Sequence, residues 1–235
     1  MKNTIRAISF FLITAAASGH ILAQDLHSGI SAYERGDYAI ALREWRPLAE
    51  QGDSYTQTLL GFMYRDGLGV SQDYAEAVVW FRSAAEQGVI AAQNNLGTIF
   101  RDGKGVLQDY LEAAKWFRLS AEQGDATAQN NLGVMLLSGQ GAERDYGEAL
   151  RWFRLAAGSG DAFSQYNLGY MHHNALGVPK NYITAHAWFN ISAMNGNEAS
   201  AIAREQIAKE MTSEDVSEAQ RRAQKCLRSN YEHCE

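Results

Sequence analysis

Asp109 to Arg144 reads DYLEAAKWFRLSAEQGDATAQNNLGVMLLSGQGAER. The stretch before it, Asp73 to Gln108, reads DYAEAVVWFRSAAEQGVIAAQNNLGTIFRDGKGVLQ. The stretch after it, Asp145 to Lys180, reads DYGEALRWFRLAAGSGDAFSQYNLGYMHHNALGVPK. A looser copy opens at Asp37 and a decayed one at Asn181, so the period is 36 residues. Self-similarity at this spacing marks a solenoid, in which each unit buries its apolar face only against its neighbours. Solenoids usually present binding surfaces, which moves the question from a reaction to a partner.

Within one period the pattern is that of two helices. Tyr74, Ala77, Val78, Trp80, Phe81, Ala84 and Ala85 recur at helical spacing and do not alternate as a strand would. Asp37, Asp73, Asp109, Asp145 and Asn181 stand at the predicted N-cap of the first helix, and Glu76, Glu112 and Glu148 follow three residues later. That spacing predicts a capping box, in which the Asp accepts from backbone N–H groups and the Glu reaches back. Gly52, Gly88, Gly124, Gly160 and Gly196 predict the end of the first helix. Asp53, Asp125, Asp161 and Asn197 predict the cap of the second, with Val89 breaking the rule.

The second helix carries a mid-helix glycine at Gly61, Gly97, Gly133 and Gly169. Glycine there costs about 0.5–1 kcal/mol against alanine, so its recurrence predicts close approach of another helix. The links GLGV from Gly67, GKGV from Gly103, GQGA from Gly139 and ALGV from Ala175 read as turns into the next cap. Their GxG pairs follow helices rather than strands and lack a Lys-Ser/Thr partner, which argues against a phosphate loop. Trp80, Trp116, Trp152 and Trp188, each beside a Phe, read as core rather than as a stacking platform.

The N-terminus has the pattern of an export signal: Lys2 and Arg6, then the apolar run Ala7 to Ala17, then small residues. The expected mature start follows Ala23, with Gly19 as the competing site and an uncleaved anchor as the other reading. The run is too short to span a bilayer. Removing Lys2 and Arg6 takes the net charge from −6 to −8. An acidic body of this kind disfavours nonspecific nucleic-acid binding. Cys226 and Cys234 lie eight residues apart near the end. The signal places the protein in the periplasm or outside the cell, and in such an oxidising compartment the two cysteines most simply form one disulfide. Two free or metal-binding thiols are the alternative, although no CxxC lies nearby.

The stretches A-x-x-W-[FY]-x-x-A-A-x-x-G, A-x-A-Q-x-x-L-G and G-x-G-V at 36-residue spacing resemble the Sel-one-like repeat family, a branch of the tetratricopeptide-like α/α solenoids. The likeness covers about residues 37–200. It implies an all-α, right-handed superhelix of antiparallel helix pairs, with first helices lining the concave side and a role as an adaptor for other proteins. The expected organisation is a signal over 1–23, a helical lead-in over 24–36, repeats at 37–72, 73–108, 109–144, 145–180 and 181–199 (partial), and a helical cap over 200–235. The tail, MTSEDVSEAQ followed by two cysteines, resembles exported bacterial members. Some secreted members carry a disulfide in each repeat and are associated with β-lactam binding or hydrolysis. The repeats here contain no cysteine and no S-x-x-K nucleophile motif, so that activity is the least favoured reading.

Arg46, Arg82, Arg118 and Arg154 occupy one position of the first helix, and Arg43, Val79, Lys115 and Arg151 lie three residues earlier on the same face. These residues form the candidate partner-binding stripe, suited to an acidic peptide, the free C-terminus of another protein or an anionic glycan. The competing reading pairs Arg46, Arg82 and Arg118 with Glu50, Glu86 and Glu122 four residues on. Gly158 stands in place of that acid beside Arg154. A second candidate surface is the column Asn95, Asn131 and Asn167. His172, His173 and His186 fall near one repeat boundary, where they could meet and take up a metal, with structural histidines as the favoured reading. The sequence therefore assigns no catalytic residue, no cofactor and no metal. It points to an envelope scaffold or regulator, and next to a secreted virulence-type factor that binds a host protein. Oligomeric state stays open.

Overall fold

The computed structural model describes residues 25–231 and 234. The signal segment, His20 and His233 lie outside the described residues. Among the described residues every regular element is a helix: α1 (25–34), α2 (Tyr38–Glu50), α3 (Ser54–Asp66), α4 (Tyr74–Glu86), α5 (Ile90–Asp102), α6 (Tyr110–Glu122), α7 (Ala126–Ser138), α8 (Tyr146–Gly158), α9 (Ala162–Asn174), α10 (Tyr182–Met194), α11 (Glu198–Ala208) and α12 (Ser213–Arg228). The architecture is an all-α helical solenoid of about 36-residue repeats. The polypeptide divides into two units, one ending at Gln108 and one beginning at Asp109.

In the first unit α2 packs on α3, α3 on α4 and α4 on α5. In the second, α6 packs on α7, α7 on α8, α8 on α9, α9 on α10 and α10 on α11, and α12 packs on α10. The predicted glycine column explains this close stacking. A Cβ on Gly61 would sit 2.5 Å from Phe81 Cδ1, and one on Gly133 would sit 2.6 Å from Phe153 Cε1. Phe81, Phe117 and Phe153 are fully buried.

Caps follow the sequence closely. Asp73, Asp109, Asp145 and Asn181 accept from backbone N–H groups of the first turn. Asp53, Asp125, Asp161 and Asn197 do so at the second helices, and Val89 makes no such bond. Two expectations need correction. Asp37 accepts no capping bond and instead takes the Arg35 guanidinium at 3.1 Å. The capping box is also only half made. The backbone N–H of Asp73 and of Asp145 goes to the carbonyl of Tyr64 and Leu136 on the preceding helix, so Glu76 and Glu148 have nothing to reach back for.

The hairpin is locked by a buried glutamine. Gln57, Gln93, Gln129 and Gln165 each donate Nε2 to the carbonyl eight residues earlier, at 3.0–3.1 Å. That bond adds a second donor to an end-of-helix carbonyl that also accepts from the backbone N–H of the glycine three residues on. The tryptophans are core at Trp116, Trp152 and Trp188, while Trp80 is only half-buried.

Two further helices flank the repeats. The lead-in α1 packs as a second helix does: Gly29 faces the indole of Trp45, as Gly61 faces Phe81, and Trp45 Nε1 donates to the Leu26 carbonyl at 3.3 Å. Thr212 caps α12, and α11 runs through the 199/200 junction. Among the described residues no helix is long and apolar enough to cross a membrane.

Candidate binding surface

The basic residues lie on the first helices, and their observed contacts are mostly not the predicted pairs with the glutamate four residues on. Arg118 on α6 donates to Glu148 Oε1 on α8 at 2.6 Å, bridging successive repeats. Arg151 approaches the same carboxylate at 3.5 Å, and Trp152 Nε1 donates to it at 3.2 Å. The hydrogen bond from Arg118 is the chief reason that the Glu148 carboxyl is held below its ordinary pKa. One repeat earlier, Glu112 accepts from Trp116 Nε1 at 2.8 Å and lies 3.6 Å from Lys115. The acid expected to close a capping box thus fixes a tryptophan and its neighbouring cation instead.

Elsewhere the cations lie on aromatic rings or on an adjacent acid. Arg46 donates to the Tyr64 hydroxyl, and the Arg82 guanidinium lies 5.5 Å from the centre of the Phe100 ring. Arg43 pairs with Glu44 at 2.7 Å. Lys115 and Arg151 lie over Trp116 and Trp152 at 5.1 and 5.0 Å. Arg154 is exposed on α8. Neither Arg46 nor Arg118 pairs with the glutamate four residues on. Arg118 is therefore a strut between repeats, whereas Lys115 and Arg151, with side chains 59% and 63% exposed, remain accessible to a ligand.

Leucines that the basic columns obscured share this face. Leu111, Lys115 and Leu119 follow one another at intervals of four on α6, as do Gly147, Arg151 and Leu155 on α8. Leu111, Leu119 and Leu155 are all exposed. The signal was present in the sequence, as aliphatic residues at positions outside the core stripe. On α10 the matching residues are Ile183, Ala187 and Ile191, and there Ala187 and Ile191 are buried. The element packed on α10 with no counterpart at α8 is α12.

The asparagine column is engaged between second helices. Asn95 accepts from Arg65 at 2.6 Å, and Asn167 donates to Asn130 at 2.9 Å; Asn131 is partly buried. His172 and His186 are buried, and the His173 ring lies 5.6 Å from that of Tyr182. Burial, helped by Arg204, lowers the His186 pKa. Among the described residues no group of three or more His, Cys, Asp or Glu is placed to hold a metal ion. Cys226 and Cys234 are bonded, with Cα atoms 4.4 Å apart. Their loop sets the Tyr231 hydroxyl 2.9 Å from Asn195 Nδ2 and its ring against Gly160.

The Sel1 repeat pattern matches residues 54–89, 90–125, 126–161 and 162–197. The frames start at the second helix, half a period from the sequence reading. No curated protein matches this sequence. Among solved structures, a Sel1 repeat protein from Oxalobacter formigenes is 33% identical, with a TM-score of 0.70 over 75% of this chain and 72% of that one. A protective antigen present in uropathogenic Escherichia coli strains, displaying an SLR fold, is 34% identical with a TM-score of 0.79. That match takes in 94% of this chain and 47% of the antigen, so the chain spans about half of the antigen's length. With four matched repeats covering more than half of its residues, the chain belongs to the Sel1 repeat family.

Proposed function

We propose that this protein is a non-catalytic scaffold that works in the cell envelope and holds a protein or peptide against its first-helix face. The Sel1 repeat is generally a protein-interaction fold. The observation that carries the reading is the exposed row of leucines and cations on α6 and α8, where a solenoid without a partner would be expected to present polar residues. Lys115, Arg151 and Arg154 are the cations assigned to the partner. In the first unit, taken by itself, Arg43, Arg46 and Arg82 on α2 and α4 are assigned the same kind of role. The bonded pair Cys226–Cys234 and the apolar run after Lys2 support an oxidising compartment reached by export.

The test is photo-crosslinking in intact cells from positions 115, 151 and 155, with capture positions on α7 and α9 as controls. A discrete adduct from the first-helix positions alone supports the reading. Adducts from the control positions alone, or from none, overturn it. Similarity to the E. coli antigen favours a second reading, a released factor that engages a host protein. Fractionation separates the two: retention in the periplasm supports the scaffold, and accumulation in the medium supports the released factor.

A further inference from the structure

The C-terminal unit contains its own example of how this face is covered. α12 packs on α10, and Ala187 and Ile191 are buried there, while Arg151 and Leu155 at the same positions on α8 are open. α12 presents a narrow buried stripe, Ala219, Ala223 and Cys226, at spacings of four and three. Its first turn is acidic, with Glu214 and Asp215, which suits the positive end of its own helix dipole. The seat continues past α12: Leu155, then Leu119 and Leu111, with Arg151 and Lys115 set among them. An apolar row interrupted by cations fits a helix whose aliphatic stripe is flanked by acids, and fits poorly an extended strand, which would bring no i, i+4 repeat to match.

We propose that the α6–α8 face seats an amphipathic helix of a partner protein, laid beside α12, with a small or aliphatic stripe inward and acidic residues towards Lys115 and Arg151. The proposal rests on the binding reading above and gives its partner a chemistry. Continuity with the α12–α10 interface sets the mode, and the exposed cations set the sign of the flanking charge.

Two labelled synthetic helices of the same 16 residues' length as α12 provide the probe. Both carry leucines at i, i+4, i+7 and i+11; one has glutamate flanks and the other lysine flanks. Fluorescence anisotropy is read against the full-length oxidised protein. The glutamate helix should bind and the lysine helix should not. The double substitution Leu119→Glu and Leu155→Glu should weaken binding at least about tenfold, since it removes two apolar anchors and adds two like charges. Lys115→Glu with Arg151→Glu should reverse the preference between the two helices. These positions are exposed, so far-ultraviolet circular dichroism should not change; the melting temperature should hold in the leucine variant and fall only slightly in the charge variant, which loses the Arg151–Glu148 and Lys115–Glu112 pairs. No binding of the glutamate helix, or equal binding by the leucine variant, overturns the proposal. Self-association of the unliganded protein that the leucine variant abolishes also overturns it, in favour of a second copy on this face. Crosslinking to a protein from position 155 while the peptide fails would leave the scaffold reading standing and remove only the helical occupant.

Discussion

Asn195 Nδ2 donates to Gln165 Oε1 at 2.8 Å, tying the end of one first helix to the buried lock of the preceding hairpin. Gln87 does the same for Gln57 at 2.8 Å. Ser159 occupies the equivalent place opposite Gln129, and its side chain turns back to the Leu155 carbonyl, so Gln129 Oε1 is buried with no hydrogen-bond partner. Ser159→Gln should supply the missing donor. The expected gain is about 1 kcal/mol, seen as a higher urea midpoint at unchanged slope. No gain in the midpoint would mean that the Oε1 is already satisfied.

Two glycines of the same unit should respond to alanine in opposite directions. A Cβ on Gly133 would meet Phe153 Cε1 at 2.6 Å, so Gly133→Ala should cost about 1–3 kcal/mol by overpacking. Gly158 ends α8 with nothing within 4 Å of a built Cβ. Gly158→Ala should stabilise by up to about 0.5–1 kcal/mol through helix propensity. Thermal melts of the two single variants check the contrast.

Ala175 closes α9 at φ 56°, where Gly67, Gly103 and Gly139 close α3, α5 and α7. An L-residue pays about 1–2 kcal/mol for that left-handed geometry, and glycine returns part of the saving as extra freedom when unfolded. Ala175→Gly should therefore raise stability by about 0.5–1 kcal/mol, measurable by denaturant titration.

Glu148 gives the acid limb of the stability curve a specific origin. Its folded pKa is depressed by Arg118, with further help from Trp152 and Arg151. The unfolded polypeptide therefore binds the proton first. The stabilisation is complete above the ordinary carboxylate value of about 4.3 and is lost as pH falls through the lower folded value. Glu148→Gln should flatten this part of the profile, with little change in its slope above neutrality. Melts of both proteins across the acid range test it. Arg118→Glu should be more damaging at neutral pH, because it sets a second carboxylate against Glu148, and its loss of partner binding would be ambiguous for that reason. Arg151→Glu with Lys115→Glu is the cleaner probe of the surface.

Most of the repeat was readable because each of its rules is local: a cap lies within three residues of what it caps, and a glycine column needs only its period. What escaped the sequence depends on neighbours distant along the polypeptide. Nothing within its own helix pairs Arg118 with Glu148; the 30-residue offset between them exists only once hairpins stack. The role of Gly29 was hidden because it lies eight residues before Asp37, whereas Gly61 lies twelve before Asp73. The shortened link breaks the period, and Trp45 takes the place of phenylalanine. The half-made capping box escaped for a related reason: the N–H that Glu148 was expected to hold is claimed by Leu136 on another helix. The exposed leucines were visible as letters, but only the burial of Ala187 and Ile191 on α10, the helix on which α12 packs, gives that face a meaning.

Gly61 against Phe81, Gly133 against Phe153 and Gly169 against Phe189 are the same joint made three times. A joint that is identical at each step lets a gene gain or lose one whole period without redesigning what remains. The flanking helices depart from that joint: Gly29 on α1 meets Trp45 rather than a phenylalanine, and α12 packs on α10 without a counterpart at α8. Length is thus free to change within the repeats, and relatives of different size should differ there by multiples of 36 residues.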